Sequence, residues 1–214
     1  MKPKLFFVLN LLFFSFLNGQ ESKVYLMPDK QQVNSDIFEK IKENIENHNG
    51  VVVLYDSIAK NDTIIYKIGI KPDYSKQRNQ YASFQRKIGE EFPLELFGIE
   101  KSEQPMLINF WFTSCLPCIK EIPDLNQLSS DYKDQVRFIA ITFNSQIQVE
   151  KFLETRPIDF EHLTEQKDAI GEFGVRNYPM NILIDKNAKI LYVDGALSYT
   201  LWEIEHLLKK ELQE

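Results

Sequence analysis

The segment NFWFTSCLPCIKEIP, residues 109 to 123, holds both cysteines of the chain, Cys115 and Cys118, with two residues between them. A pair so spaced can be a structural clip, half of a metal site or a redox couple. As a clip it would do little, because a disulfide stabilises by closing a loop in the unfolded chain and the gain shrinks with the loop. A structural zinc site takes four protein ligands, commonly in two paired groups. Here a second cysteine pair is absent, and His48, His162 and His206 are scattered more than 40 residues apart, so no metal is expected. The redox reading gains from position. Cys115 follows a buried-strand pattern and precedes a helical one, which puts its sulfur at a helix N-terminus, where free N–H groups and the macrodipole favour a thiolate. Pro117 suits the first helical turn, where its missing N–H is not needed. Cys118, one turn further in, is expected to be the more enclosed. An exposed thiol of low pKa and a buried resolving thiol make a two-step exchange device.

The elements that must hold this pair follow from periodicity. MLINFWF reads as a buried strand, and Ile119, Ile122, Leu125, Leu128 and Tyr132 recur at helical spacing directly after it. VRFIAITF is a second strand, SQIQVEKFLET a second helix and DAIGEFGV a short third. MNILID and KILYVDG flank the turn KNA as a hairpin, and LWEIEHLLKKEL closes the chain as a helix. Strand, helix, strand, then hairpin and helix predict an α/β domain with a mixed sheet over residues 87–214. Ahead of it, residues 24 to 70 read as a helix, capped by Asn34, Ser35 or Asp36, and a hairpin of VVVLYDSI and TIIYKIGI. This small α+β unit and its polar linker occupy 20–86, and packing against a sheet edge is its expected role.

The 214 residues are 43% hydrophobic and 26% charged, ordinary globular composition, and the net charge of -6 leaves no general basic face for nucleic acid. Residues 1–19 have a signal-peptide pattern: Lys2 and Lys4, an apolar run from Leu5 to Leu17, then Gly19. That run is shorter than the roughly 20 residues a spanning helix needs, so a cleaved signal is favoured over an uncleaved anchor. Either way the rest is expected outside the cytoplasm, where a lone thiol pair stays reduced only if something reduces it.

LINFWFTSCLPCIKEIPDLNQL resembles the active-site segment of the TlpA/ResA-like branch of thioredoxin-fold thiol-disulfide oxidoreductases, with a redoxin or AhpC-TSA type of thioredoxin domain. The resemblance covers about residues 87 to 214. It implies a central mixed sheet flanked by helices, no cofactor, protein substrates carrying disulfides or thiols, and a membrane electron donor that keeps the protein working as a reductase. By the same resemblance Cys115 is the attacking cysteine, Cys118 the resolving one, Pro179 after Tyr178 the cis-proline, and Glu121 a proton carrier near Cys118. Asn109 stands where cytosolic relatives carry a buried Asp, and Trp111 is expected to pack beside the site. Ser114, Leu116, Pro117 and Tyr178 would border the substrate. Ser114 replaces a usual Trp, Tyr178 a common Thr, and Leu116 is also unusual, so the substrate groove is expected to differ from that of better-known members. Two other readings compete: a peroxiredoxin-like peroxidase, for which Thr113 is wrongly spaced from Cys115, and a copper chaperone, which would use His162 and one more residue between the cysteines.

Overall fold

A computed structural model describes residues 22–73, 79–197 and 200–213. The expected signal segment, 1–19, lies outside the described residues. Among the described residues no helix is long and apolar enough to cross a membrane.

The main sheet has five strands: β5 (Met106–Phe110), β6 (Arg137–Ile141), β7 (Glu161–Leu163), β8 (Met180–Ile184) and β9 (Ile190–Asp194), in the order β7-β6-β5-β8-β9. β5, β6 and β7 run parallel, and β8 and β9 join antiparallel to complete a mixed sheet. Helices α3 (Leu116–Asp131), α4 (Gln146–Leu153), α5 (Lys167–Phe173) and α6 (Leu201–Glu211) connect or follow these strands. Side chains alternate across a strand, so β5 sends Ile108 and Phe110 into one core with Phe92, Phe97 and Met180. It sends Leu107 into the other, against Leu125 and Leu128 of α3 and Ile204 and Leu208 of α6. By that alternation Asn109 points with Leu107, toward the α3 layer, and it pairs in register with Asn181 of β8. A polar position in the middle of an all-buried strand is thereby aimed at the helix that carries the cysteines.

The N-terminal unit is a second sheet, ordered β2-β1-β4-β3, from β1 (Ser22–Leu26), β2 (Gln32–Asn34), β3 (Gly50–Lys60) and β4 (Thr63–Pro72), with α1 (Ser35–Asn47) over it. The helix and hairpin match the sequence reading. β1 and β2 do not announce themselves, being short and mostly polar, and they form because β1 lies parallel to β4. Tyr25 and Phe38 stack at 3.9 Å at the centre of this small core.

Two expectations are corrected here. The unit meets the main domain at α6 instead of at a sheet edge. Trp202 donates its indole N–H to the Ile70 carbonyl (3.1 Å) and stacks on Tyr55 (4.8 Å). Gly69 is required there, because a Cβ would overlap the indole ring. The edge strand β9 is covered instead by residues 89 to 92, whose backbone bonds alternate with those of Ala188 and Ile190. The stretch read as a polar linker is also partly interior: Phe84 of the α2 turn (Ala82–Gln85) and Tyr81, the residue that caps it, join the core that holds Phe110 and Met180. Two buried rings in an otherwise polar run make no periodic stripe, which is why they escape a pattern-based reading.

Candidate active site

The parallel strands β5 and β6 end where α3 and α4 begin. β8 starts at that same end, because Met180 pairs with Phe110. This is the rim on which the cysteines sit. Cys115 is the N-cap of α3, and its sulfur accepts the Cys118 N–H at 3.2 Å. The two cysteines are joined as a disulfide. Pro117 lies in the first turn, as its missing N–H permits, and the helix runs through Pro123, where its ladder lacks one bond. Cys118 is 2% exposed, as expected, but Cys115 is only 3% exposed, where an open sulfur was anticipated. In the bonded state the first sulfur folds inward over the helix end, and the groups that meet solvent are Ser114, Leu116 and Pro117, with Leu116 71% exposed.

Two loops pack on the segment just before the pair. The Tyr178-Pro179 peptide is cis, and the start of β8 lies beside the end of β5. Tyr178 packs edge-on against Phe112 (5.2 Å), and Phe112 stacks on Phe143 from the loop after β6 (5.4 Å). Asn144 of that same loop accepts the Thr113 N–H at 2.9 Å, tying down the segment just before Cys115. Phe143 and Asn144 were not anticipated; nothing local in TFNSQ distinguishes them from ordinary loop residues. Trp111 is buried against Phe152 of α4, as expected of a packing residue.

Glu121 lies one turn beyond Cys118 on α3, on the same face of the helix. It is 2% exposed and is held from three elements. Asn109 Nδ2 donates to Oε1 (2.9 Å), Asn181 Nδ2 donates to Oε2 (3.1 Å), and the Leu197 N–H donates to Oε2 (2.9 Å). Asn109 Nδ2 also donates to Asn181 Oδ1 (2.9 Å), and Asn181 Nδ2 to the Gly195 carbonyl (2.8 Å), so both amides are oriented. Burial pushes the Glu121 carboxyl up to about 7, outweighing the donors from Leu197, Asn181 and Asn109 that pull it down; Asp124 adds to the rise. A group so poised can take or give a proton near neutrality. Asn181 and Leu197 could not be inferred from the sequence, since their roles depend on strand register and loop path.

His162, the residue a copper site would need, sits on β7 with its Nε2 3.2 Å from the Ile158 carbonyl and its ring edge-on to Trp111. Among the described residues no group of three His, Cys, Asp or Glu is placed to hold a metal ion.

Residues 71–193 match the AhpC/TSA family. The chain belongs to the AhpC/TSA family. Its five-stranded mixed sheet with flanking helices is the thioredoxin-like fold expected of that membership. Among curated relatives, it is 30% identical over 110 residues to the thioredoxin-like protein YneN of Bacillus subtilis, covering 47% of this chain and 65% of that one. It is 31% identical over 111 residues to the thiol-disulfide oxidoreductase ResA of Halalkalibacterium halodurans, covering 50% of this chain and 63% of the relative. A solved structure, a putative thiol:disulfide interchange protein DsbE from Chlorobium tepidum, aligns at 25% identity with a TM-score of 0.48, over 52% of this chain and 82% of that one. The chain therefore spans somewhat less than two thirds of the length of these curated relatives.

Proposed function

We propose that this protein is an extracytoplasmic thiol-disulfide oxidoreductase that reduces disulfides in partner proteins through Cys115 and Cys118. The observation that carries the reading is a cysteine sulfur capping α3, bonded to a second cysteine one turn from a buried carboxyl that titrates near 7. The names of the curated relatives point the same way.

The reaction is two exchanges. In the reduced protein the Cys115 thiolate, stabilised by the N–H groups of the first helical turn, attacks one sulfur of the partner's disulfide. That S–S bond breaks, and the partner's other sulfur leaves as a thiolate. Cys118 passes its proton to the Glu121 carboxylate and attacks the Cys115 sulfur. The mixed disulfide then breaks, the second partner sulfur leaves, and the Cys115–Cys118 bond closes. Two electrons have passed to the partner, and a membrane-held dithiol donor restores the pair by the same exchange reversed. Tyr178, held before the cis Pro179, offers backbone to the substrate strand, while Ser114, Leu116 and Pro117 border the sulfur it must approach. Placement outside the cytoplasm rests on the Lys-flanked apolar run from Leu5 to Leu17.

The test is dithiol-driven reduction of insulin. Turnover that disappears in Cys115→Ser supports the proposal, and wild-type turnover no faster than that variant's refutes it. Partners are identified with Cys118→Ala, in which a mixed disulfide on Cys115 has no internal thiol to resolve it.

A further inference from the structure

The residues between the N-terminal unit and the main domain do more than connect them. Asn79 begins a strap that ties the end of β9 to the loop before β8. Its Oδ1 accepts the Tyr81 N–H (3.0 Å), and its Nδ2 donates to Gln85 Oε1 (2.7 Å). Gln85 Nε2 in turn donates to the Val193 carbonyl (3.2 Å), and Asn177 Nδ2 donates to the Gln80 carbonyl (2.9 Å). The strap is thus fastened on one side to the end of β9 and on the other to the loop that carries the cis-proline.

Tyr81 lies between these two fastenings and is 6% exposed. Its phenol O–H donates to the Pro179 carbonyl at 2.9 Å, across 98 residues of sequence. Its ring lies so close over Gly195 that a Cβ there would come within 2.6 Å of the phenol oxygen and 2.7 Å of a ring carbon. Pro179 and Gly195 flank Asn181 in space. Asn181 follows Pro179 by two residues and donates to the Gly195 carbonyl, and the same amide donates to Glu121. The other backbone donor to Glu121, Leu197, lies two residues beyond Gly195.

We propose that Tyr81 is a positioning residue for the exchange reaction: its phenol, bonded to the Pro179 carbonyl and packed on Gly195, fixes the two backbone segments that hold Asn181 and Leu197 on Glu121. Tyr81 touches neither cysteine and acts only through these groups. The inference rests on the reading of Glu121 as proton carrier for the cysteine pair. The ionisable groups that meet here are Glu121 and Asp124 on α3, Asp194 at the end of β9 and Tyr81 itself, with Glu203 of α6 interacting with Asp194. Burial, and then the charges of Asp194 and Glu121, push the Tyr81 phenol up to about 12, so it remains a donor at any pH where the protein works.

The experiment compares Tyr81→Phe with wild type in the full chain. Tyr25→Phe, a loss of the same hydroxyl from the other core, serves as control for stability alone. Two quantities are read: the titration midpoint of the Glu121 carboxyl, followed by carbon NMR, and the pH profile of kcat/KM for insulin disulfides. Removal of the phenol leaves a buried carbonyl without its donor and loosens both segments, so Asn181 and Leu197 hold the carboxylate less well. The midpoint is expected to rise above about 7, because the donors that favour the charged form are weakened while the carboxyl stays buried. The pH profile moves with it, and kcat/KM at neutral pH drops about fivefold, because less of the carboxyl is ionised to take a proton; that fold-change corresponds to ~1 kcal/mol in the barrier. Tyr25→Phe leaves both in place. Gly195→Ala, which presses a methyl against the phenol, is expected to shift the midpoint in the same direction.

An unchanged midpoint and profile in Tyr81→Phe, whatever its melting temperature, overturns the proposal. Wild-type protein with no exchange activity would overturn the oxidoreductase reading instead, and the Glu121 midpoint would still decide whether the strap positions that carboxyl.

Discussion

Helix α1 starts with the Asn34 side chain accepting the Ile37 N–H at 3.0 Å, and α3 starts with the Cys115 sulfur accepting the Cys118 N–H at 3.2 Å. The two caps satisfy the same orphan donor, the N–H three residues on. Around Asn34 the bond is exposed and Asp36 occupies the first turn, so local negative charge already answers the macrodipole. Around Cys115 no acid stands in the first turn, the sulfur is enclosed, and the nearest buried acid is Glu121, one turn past Cys118. A helix N-terminus by itself is a common feature with a structural use. In the proposed function it becomes a reactive site because a nucleophilic atom replaces the usual oxygen, and because α3, unlike α1, lies on a strand layer carrying two oriented amides.

The largest test of this contrast makes the α3 cap resemble the α1 cap. Serine caps helices well, so Cys115→Ser is expected to stay within about 1 kcal/mol of wild-type stability when both are measured reduced. Its insulin reduction should nonetheless fall to background. A large loss of stability would mean that the cysteine's contribution is mainly structural.

Next in size is Glu121→Gln. If Glu121 must be ionised to take the proton of Cys118, the rate of disulfide closure rises with pH through about 7 in wild type and becomes flat in this variant. The rate should fall by about 100-fold, within the range for general acid-base catalysis. Stability gives an independent sign. Because the folded carboxyl holds its proton more tightly than the unfolded one, the folded state binds more protons between 4.5 and about 7, and wild-type stability declines as pH rises through that window. At ~1.4 kcal/mol per pH unit the decline amounts to about 3 kcal/mol. Denaturant titrations across this window should show that slope in wild type and lose it in Glu121→Gln.

A smaller effect concerns how the two regions join. Trp202→Ala removes the indole that stacks on Tyr55 and bonds to Ile70, and it should cost about 2 kcal/mol, less than a fully buried tryptophan. Calorimetry is the measurement, and a separate early transition for the N-terminal unit is the expected form. The smallest is Asn34→Ala, which should lose about 1 kcal/mol and leave the exchange rate unchanged; a slower rate would mean that the α1 cap is coupled to the site.

Much of the site was legible locally. The cysteine pair stands out by count and spacing, and the strand before it and the helix after it follow from residue periodicity in MLINFWF and from Ile119 to Leu128. The α1 cap and the β3–β4 hairpin were equally readable, because each depends on neighbours a few residues away. Tyr81 was not, since two rings in a polar stretch give no period, and neither was the docking of Trp202 on a glycine 133 positions earlier.

By itself the sequence determined which atoms could react and which helix would carry them, because a nucleophile, a strand and a helix turn are local choices of residue and spacing. Tertiary structure alone decided the state of Glu121. Whether a carboxylate on a helix is solvated or buried near neutrality depends on what faces it. Asn181, 60 residues away, and Leu197, 76 away, arrive there only through the order β5-β8-β9 and its register.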